Sequence, residues 1–157
     1  MNYAMIKKYC IANGEGIRTA LFVSGCPIHC KGCFNPELQN PYYGQPFTEE
    51  TYKEITDSMN EHIAGLSILG GEPLAIYNID EILNLIIQFK KDFPNKTIWL
   101  WTGYTYKYLM ENLNCIMNTI IIPNVDVLIE GPFIEELKDL NLQWRGSSNQ
   151  QIIKLHS

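Results

Sequence analysis

The sequence predicts an α/β fold built on a mostly parallel β-sheet with helices packed against it. Segments rich in β-branched and aromatic residues alternate with segments whose apolar residues recur at helical spacing. This alternation is typical of parallel sheets, because each parallel connection needs a crossover that is usually helical. The 157 residues, with 46% hydrophobic residues, fit one domain with a substantial core.

Local patterns define the individual elements, and loops rich in glycine and proline separate them. The helix that begins at Ile79 is the clearest, because its apolar residues match the i, i+3, i+4, i+7, i+8 pattern throughout. The other predicted elements, in order, are a strand over 18–24, a loop over 34–47, a helix after the N-cap Thr48, strands over 66–69 and 97–101, a helix over 106–112 and a strand over 125–129. The structure of residues 114–123 stays open.

Four unusual segments each follow a predicted strand. They are the cysteine-rich loop that begins at Gly25, the turn over residues 70–73, residues 102–104 and residues 130–132. Because the carboxyl ends of parallel strands lie at one edge of a sheet, where ligands bind in such folds, we expect these segments to form one pocket. The chain contains little that could serve as a lid over that pocket.

Composition argues against several classes of function. The net charge is −5 and no run of Lys or Arg is longer than a pair, whereas a nucleic-acid-binding surface needs a basic stripe. No apolar stretch approaches the roughly 18 residues of a membrane helix, and the N-terminus lacks the apolar segment of a signal peptide. We therefore expect a cytoplasmic protein with reduced cysteines and without a nucleic-acid or membrane partner.

Cys26, Cys30 and Cys33 supply three thiolates in one short loop. Structural zinc prefers four protein ligands, and no second Cys-x-x-Cys pair is present. The candidates for a fourth ligand are His29, Cys10 and Cys115. A redox pair of Cys30 and Cys33 would not need Cys26. An iron–sulfur cluster on three thiolates would leave one iron free for a non-protein ligand, and this interpretation accounts best for the number of thiols.

The spacing of the three cysteines, with Phe34 directly after the third, resembles the signature of the radical S-adenosylmethionine (SAM) superfamily. The turn Gly70-Gly71-Glu72-Pro73 is similar to the GGEP motif of that superfamily. The resemblance implies a 4Fe-4S cluster on three cysteines, with SAM bound to the fourth iron, in a single radical SAM domain over residues 1–157. Because an eight-stranded barrel typically takes about 250 residues, we expect an open partial (β/α) barrel of the radical SAM type whose mouth admits a protein substrate.

Three further segments resemble one branch of that superfamily. Residues 13–18 (NGEGIR) are similar to activating enzymes of glycyl radical proteins, and residues 99–104 (WLWTGY) and 144–150 (WRGSSNQ) to those that act on anaerobic (class III) ribonucleoside-triphosphate reductase. The resemblance implies a radical SAM oxidoreductase that cleaves SAM reductively and abstracts a hydrogen atom from a glycine of that reductase. A flavodoxin- or ferredoxin-type protein would donate the electron.

The resemblance also implies the residues that hold the two cofactors. The predicted cluster ligands are Cys26, Cys30 and Cys33. The backbone at Gly70 and Gly71 would approach the ammonium group of SAM, whose charge Glu72 would offset. This branch often has Asp in place of Glu72, and either carboxylate can accept from an ammonium. Residues 147–149 would cap the pocket or meet the partner protein.

The adenosine moiety of SAM is expected beside the cysteine loop. Phe34 would pack on the adenine, and the backbone of Gly32 and Cys33 would line that side. Thr102 and Asp126 are candidates for contacts to the ribose or to an associated cation.

Several conspicuous residues have no part in this interpretation. We expect Cys10 and Cys115 to be buried, inert thiols. His29 is expected at the surface near the cluster. Trp99 and Trp101 alternate along a strand, so they point to one face and are expected in the core.

Two alternatives remain from the sequence. The chain could activate a different glycyl radical enzyme, such as pyruvate formate-lyase, although its short length favours the reductase branch. It could also be a non-catalytic iron–sulfur or zinc-binding module.

Overall fold

The computed structural model describes residues 1–156, and seven strands within them form one mixed sheet. The strands are β1 (Asn2–Cys10), β2 (Ile17–Val23), β3 (Gln45–Pro46), β4 (Ile63–Gly70), β5 (Thr97–Trp101), β6 (Val127–Glu130) and β7 (Gln151–Lys154). Their order in the sheet is β3-β1-β2-β4-β5-β6-β7. The four central strands are parallel, whereas β1, β3 and β7 pair antiparallel. The predicted α/β class with an open, largely parallel sheet is confirmed.

The register of the central strands brings their carboxyl ends to one edge of the sheet. Val23 at the end of β2 pairs with Gly70 at the end of β4. One strand further along, Trp101 at the end of β5 pairs with Ile129 of β6. The loops that follow these strands therefore start side by side, as the sequence predicted.

Helices cover one face of this sheet and form the main core with it. They are α1 (Glu49–Asp57), α2 (Ile79–Asp92) and α3 (Tyr106–Asn112), followed by helical turns over Asn114–Ile116, Met117–Ile121 and Ile122–Asn124. Ile82 and Ile86 of α2 are fully buried against strand residues such as Leu66 and Ile98. Each such side chain contributes about 1.5–3 kcal/mol of burial free energy, so this face supplies most of the stability.

The helix boundaries follow local chemistry. The Thr48 side chain accepts a hydrogen bond from the Thr51 backbone N–H, and the Thr51 hydroxyl accepts from the Thr48 N–H in return. This capping box starts α1 where the sequence predicted it. In α2, acidic residues occupy the first turn and lysines the last, which suits the helix dipole.

Within residues 1–156, the buried apolar side chains of α1, α2 and α3 all belong to that core, and no α-helix packs on the opposite face of the sheet. Its buried side chains include Arg18, Ser67 and Trp99. Residues 11–16 and residues 131–150 cross this face and leave the pocket between them. The open face therefore provides the room for a site.

Arg18 is a buried cation at the floor of this open face, with 1% of its surface exposed. Its guanidinium donates to the Ser67 hydroxyl at 2.8 Å and to the Thr97 hydroxyl at 2.8 Å. It also lies 5.5 Å from the Trp99 ring centroid. Burial lowers the pKa of Arg18 to about 10, which leaves the group charged at neutral pH. Arg18 thus ties three central strands together below the pocket.

Three segments had no assigned structure in the sequence-based prediction. Strand β1 was not predicted, because most of its side chains are only partly buried or exposed and so show no clear alternation. Strand β7 corresponds to the short apolar segment near the C-terminus. The ambiguous region is helical, with a π-helix at Met117–Ile121 that buries Met117 and Ile121.

Within residues 1–156, no helix combines the length and the apolar character that a membrane crossing requires.

Candidate functional site

A pocket of about 450 Å³ opens at the carboxyl edge of the central strands. It brings together most of the residues that the sequence singled out. The predicted site residues in its wall are Cys26, Cys30, Cys33, Phe34, Gly70, Gly71, Glu72 and Thr102. Segments far apart in the chain therefore meet as expected from the parallel order of the strands.

The cysteine loop leaves β2 and is held by backbone hydrogen bonds to the turn that follows it. The Gly25 N–H donates to the Leu38 carbonyl at 2.7 Å, and the Cys26 N–H donates to the Gln39 carbonyl at 3.2 Å. Cys26, Cys30 and Cys33 are all free thiols that are neither fully buried nor fully exposed. Burial is the main effect that raises the pKa of the Cys26 thiol.

The three thiols share the pocket without meeting at a point. Among residues 1–156, no three His, Cys, Asp or Glu side chains converge closely enough to hold a single metal ion. A tetrahedral zinc site needs such convergence, because all its donors bind the same ion. In a 4Fe-4S cluster each thiolate binds a different iron, so the sulfur atoms stay apart. Three free thiols in one pocket wall are a donor set that such a cluster can use.

The turn after β4 continues the pairing of β4 with β2. The Gly71 N–H donates to the Val23 carbonyl at 2.8 Å, and the Glu72 N–H donates to the Gly25 carbonyl at 2.7 Å. Gly70 has a φ of +110°, and a Cβ there would lie 2.7 Å from the Val23 nitrogen. A Cβ on Gly71 would collide with the Gly25 carbonyl oxygen. Both glycines are required for this turn to lie against the cysteine loop.

Glu72 lies in the pocket wall with 1% of its surface exposed. Its Oε1 accepts from the Leu74 N–H at 3.0 Å and from the Thr102 hydroxyl at 2.8 Å, and its Oε2 accepts from the Gly103 N–H at 2.6 Å. Burial raises the pKa of this carboxyl to about 7, although the three hydrogen bonds oppose the shift. A cation that entered the pocket would therefore favour the ionised form of Glu72.

Thr102 has a different contact from the one that the sequence suggested. Its hydroxyl donates to Glu72 and accepts from the Tyr104 N–H at 3.2 Å. The Thr102 side chain therefore holds the carboxylate in place, and one lone pair of its hydroxyl is left for the ribose or cation contact, which stays a prediction.

Phe34 stands at the edge of the pocket with 54% of its surface exposed. Its ring centroid lies 4.9 Å from that of Phe133, and the Lys138 ammonium lies 5.2 Å from the Phe34 centroid. An exposed aromatic face beside the cysteines is available to stack on a planar ligand. Gly32 is not in the pocket wall. Its Cα faces the Glu135 side chain instead.

Asp126 does not reach the pocket, which corrects its assignment as a ribose or cation contact. Its carboxylate accepts from the Ile98 N–H at 2.8 Å and pairs with the Lys90 ammonium at 2.9 Å. Asp126 precedes β6, so it lies at the amino edge of the parallel strands, opposite the pocket. The physical reason is that residues before a parallel strand lie at the other edge from residues after it.

The pocket wall extends beyond the segments that the sequence placed there. Residues 131–150, here called the rim segment, line a large part of it. The rim residues in the wall are Gly131, Phe133, Asp139, Leu140, Leu142, Trp144, Arg145, Gly146 and Gln150. The sequence predicts residues 130–132 and 147–149 at the pocket. The stretch between them has almost no regular structure, so no periodicity marks it.

The rim segment is held by its own hydrogen bonds and by a strand tryptophan. The Gln150 side chain donates to the Gly131 carbonyl at 3.0 Å, and the Asn149 side chain donates to the Pro132 carbonyl at 2.7 Å. The Trp101 indole N–H donates to the Trp144 carbonyl at 2.7 Å. Trp101 thus lines the pocket, whereas Trp99 is buried as predicted.

The remaining expectations have mixed outcomes. Ser147 is buried and its hydroxyl accepts from the Ile134 N–H at 3.2 Å, so it braces the rim segment. Cys10 is buried as expected, but Cys115 is exposed on the helical stretch, which corrects its assignment to the core. His29 is exposed and shares a hydrogen bond of 2.8 Å with the Gln39 side chain.

Comparison with known proteins agrees with this site. A family described as "4Fe-4S single cluster domain" matches residues 12–153. The anaerobic ribonucleoside-triphosphate reductase-activating protein of Escherichia coli K12 is 39% identical over 155 residues, which are 97% of each chain. The chain belongs to the family of these activating proteins.

Two other relatives match this chain with similar identity and coverage. The activating protein of Vibrio cholerae is 41% identical over 155 residues, again 97% of each chain. That of Enterobacteria phage T4 is 40% identical over 153 residues, which cover 97% of this chain and 93% of the phage protein. The 4Fe-4S family model covers most of this chain, and the free thiols of the cysteine loop are the donor set that suits such a cluster.

Proposed function

We propose that this protein cleaves SAM reductively and uses the resulting radical to abstract a hydrogen atom from a glycine of anaerobic ribonucleoside-triphosphate reductase. The observation that carries the proposal is the meeting of the three cysteine thiols and the turn Gly70-Gly71-Glu72 in one pocket. The names of its relatives support the choice of the reductase as partner.

The residues of the pocket fit both cofactors. Cys26, Cys30 and Cys33 would hold the cluster, one thiolate on each of three irons. When bound and reduced by a flavodoxin- or ferredoxin-type donor, the cluster supplies one electron to the SAM sulfonium, which breaks its bond to the 5′ carbon and yields methionine and a 5′-deoxyadenosyl radical.

The chain itself binds, orients and shields the reactants. Glu72, fixed by the hydroxyl of Thr102 and the N–H of Gly103, would accept hydrogen bonds from the methionyl ammonium. Phe34 would stack against the adenine. The rim segment would keep water from the radical until the glycine of the reductase enters the pocket. The radical would then take a hydrogen atom from the glycine Cα, which would give 5′-deoxyadenosine and a glycyl radical.

The proposed site lies on the open face of the sheet. Helices cover one face of the open sheet and the pocket lies on the other, as in the partial (β/α) barrel of the radical SAM type that we propose for residues 1–157 as a single domain. Five free cysteines suit a reducing compartment, so we propose that the protein acts in the cytoplasm.

The test is SAM cleavage under strict anaerobiosis. Purified protein should be brown and, once reduced, should release 5′-deoxyadenosine; addition of the reductase should give the doublet of a glycyl radical in electron paramagnetic resonance. Replacement of Cys26, Cys30 or Cys33 by Ala should abolish iron binding and cleavage. Cys115→Ala, which removes an exposed thiol, is the matched control and should retain both.

Other outcomes would point to the alternatives. Colourless protein that holds one zinc ion would refute the proposal in favour of a binding module. SAM cleavage with a glycyl radical on pyruvate formate-lyase, but none on the reductase, would identify a different activase.

A further inference from the structure

Arg145 is the one cationic side chain in the wall of the pocket, as far as the described residues show. The two carboxylates in the same wall, Glu72 and Asp139, do not pair with it. Glu72 is fixed by neutral donors, and the Asp139 carboxylate accepts from the Asn141 N–H at 2.9 Å. No ion pair within residues 1–156 includes the Arg145 guanidinium. A cation in a pocket without a counterion is available to an anionic ligand.

The backbone around Arg145 holds the side chain beside the cysteine loop. The preceding carbonyl, that of Trp144, accepts from the Trp101 indole at 2.7 Å. The following residue, Gly146, lies so close to Phe34 that a Cβ there would be 2.7 Å from the Phe34 ring. Phe34 directly follows Cys33, so the backbone next to Arg145 lies close to the cysteine loop.

The guanidinium itself is only partly satisfied. One terminal nitrogen, Nη1, donates to the Gln150 carbonyl at 2.6 Å, which fixes the direction of the side chain. Within residues 1–156, the buried Nε–H has no hydrogen-bond partner. A buried donor without a partner costs about 1–3 kcal/mol, so its retention calls for an explanation.

We propose that Arg145 is a carboxylate-binding residue of this pocket. A guanidinium presents a planar fork of N–H donors that matches the two oxygens of a carboxylate. Two sources of the carboxylate are compatible with the site: the methionyl group of SAM, and an acidic group near the glycine of the protein substrate. The inference rests on the proposed function, since both sources are its reactants.

The experiment compares two binding measurements on cluster-loaded protein that is kept oxidised, so that no turnover occurs. Equilibrium dialysis with labelled SAM gives the affinity for SAM, and biolayer interferometry with the purified reductase gives the affinity for the protein. The variants are Arg145→Gln and Arg145→Lys. Lys107→Gln removes an equal charge from an exposed position and is the matched control. Iron content and far-UV circular dichroism report whether each variant is folded.

If Arg145 binds the SAM carboxylate, Arg145→Gln should weaken SAM binding by about tenfold to a hundredfold, the range of charge-assisted hydrogen bonds. If it binds an acidic group of the substrate, the reductase affinity should fall by a similar factor while SAM binding stays constant. Arg145→Lys should lie between wild type and Arg145→Gln, because a lysine keeps the charge but not the fork.

The inference is overturned if both affinities of folded Arg145→Gln stay within about twofold of those of the wild type. If Arg145→Gln does not fold, an unchanged affinity of Arg145→Lys for both ligands overturns it equally. Wild-type protein that does not bind SAM would contradict the proposed function instead, and the measurement with the reductase would still decide the role of Arg145.

Discussion

Glu72 predicts an unusual dependence of stability on pH. The carboxyl is almost completely buried, and its pKa is raised from 4.5 to about 7. Between these two values the folded chain keeps a proton that the unfolded chain has released. By linkage, the free energy of unfolding therefore falls as the pH rises through this window, and the loss is essentially complete by about pH 8.5.

The size of the effect follows from the shift. A change from 4.5 to about 7 corresponds to about 3 kcal/mol in total, because each pKa unit is worth about 1.4 kcal/mol. Linkage assigns about 2 kcal/mol of this to the interval from about pH 5.5 to about pH 8.5. Glu72→Gln removes the ionisation and should remove this part of the pH dependence. Relative to wild type with protonated Glu72, the variant should lose about 1 kcal/mol, because its amide group cannot accept from the Gly103 N–H. The variant should therefore be less stable than wild type at about pH 5.5 and more stable at about pH 8.5, by about 1 kcal/mol in each case.

Urea unfolding of the cluster-free protein, followed by circular dichroism at several pH values, measures this difference. Comparison of Glu72→Gln with wild type cancels the contributions of other titrating groups. Glu61→Gln, at an exposed side chain, is the control and should follow the wild-type profile. Parallel profiles for Glu72→Gln and wild type would refute the reasoning, because they would show that Glu72 is ionised at the lower pH or accessible to solvent.

Three further predictions concern the floor, the turn and the rim of the pocket. Arg18→Met should lower the free energy of unfolding by about 3 kcal/mol or more in urea titrations, because several buried acceptors lose their donor; a loss below about 1 kcal/mol would contradict the structure. Gly71→Ala should destabilise the protein by about 2 kcal/mol or more and abolish SAM binding, because its Cβ meets the carbonyl of Gly25. Gly103→Ala should destabilise the protein less than Gly71→Ala, because only a flexible side chain lies in the way. Equal losses of stability in the two variants would argue against this packing. Leu140→Asp should weaken binding of the reductase in biolayer interferometry by about tenfold without a change in reductase-free SAM cleavage, since the residue is 83% exposed at the mouth; an unchanged affinity would place the partner elsewhere.

Each helix and strand that was predicted from the sequence pattern is present in the structure. Helix α2 buries the stripe that its sequence displays, because one continuous apolar face packs on the sheet. The region around Ile120 could not be assigned, because β-branched residues favour strands while tertiary packing makes the segment helical. Strand β1 escaped detection because pairing with β2, and not burial, holds it in the sheet.

Some features of the candidate site could likewise be predicted from the sequence, whereas others could not. The spacing of the cysteines and the two glycines before Glu72 could be predicted, since their chemistry is local to a loop and a turn. The contact of Thr102 with Glu72 and the place of Arg145 could not, because each depends on segments that meet only after folding.

The sequence by itself determined the alternation of the central strands with helices, the three thiols and the close turn after β4. These features depend on residue type and on spacing along the chain, which are fixed before the chain folds. Only the tertiary structure decided that Asp126 lies at the far edge of the sheet, that the rim segment lines the pocket, and that Arg145 is the cation in the pocket wall. The physical reason is that these relations depend on strand direction and on contacts across the open face of the sheet, where loops without a repeating pattern come together.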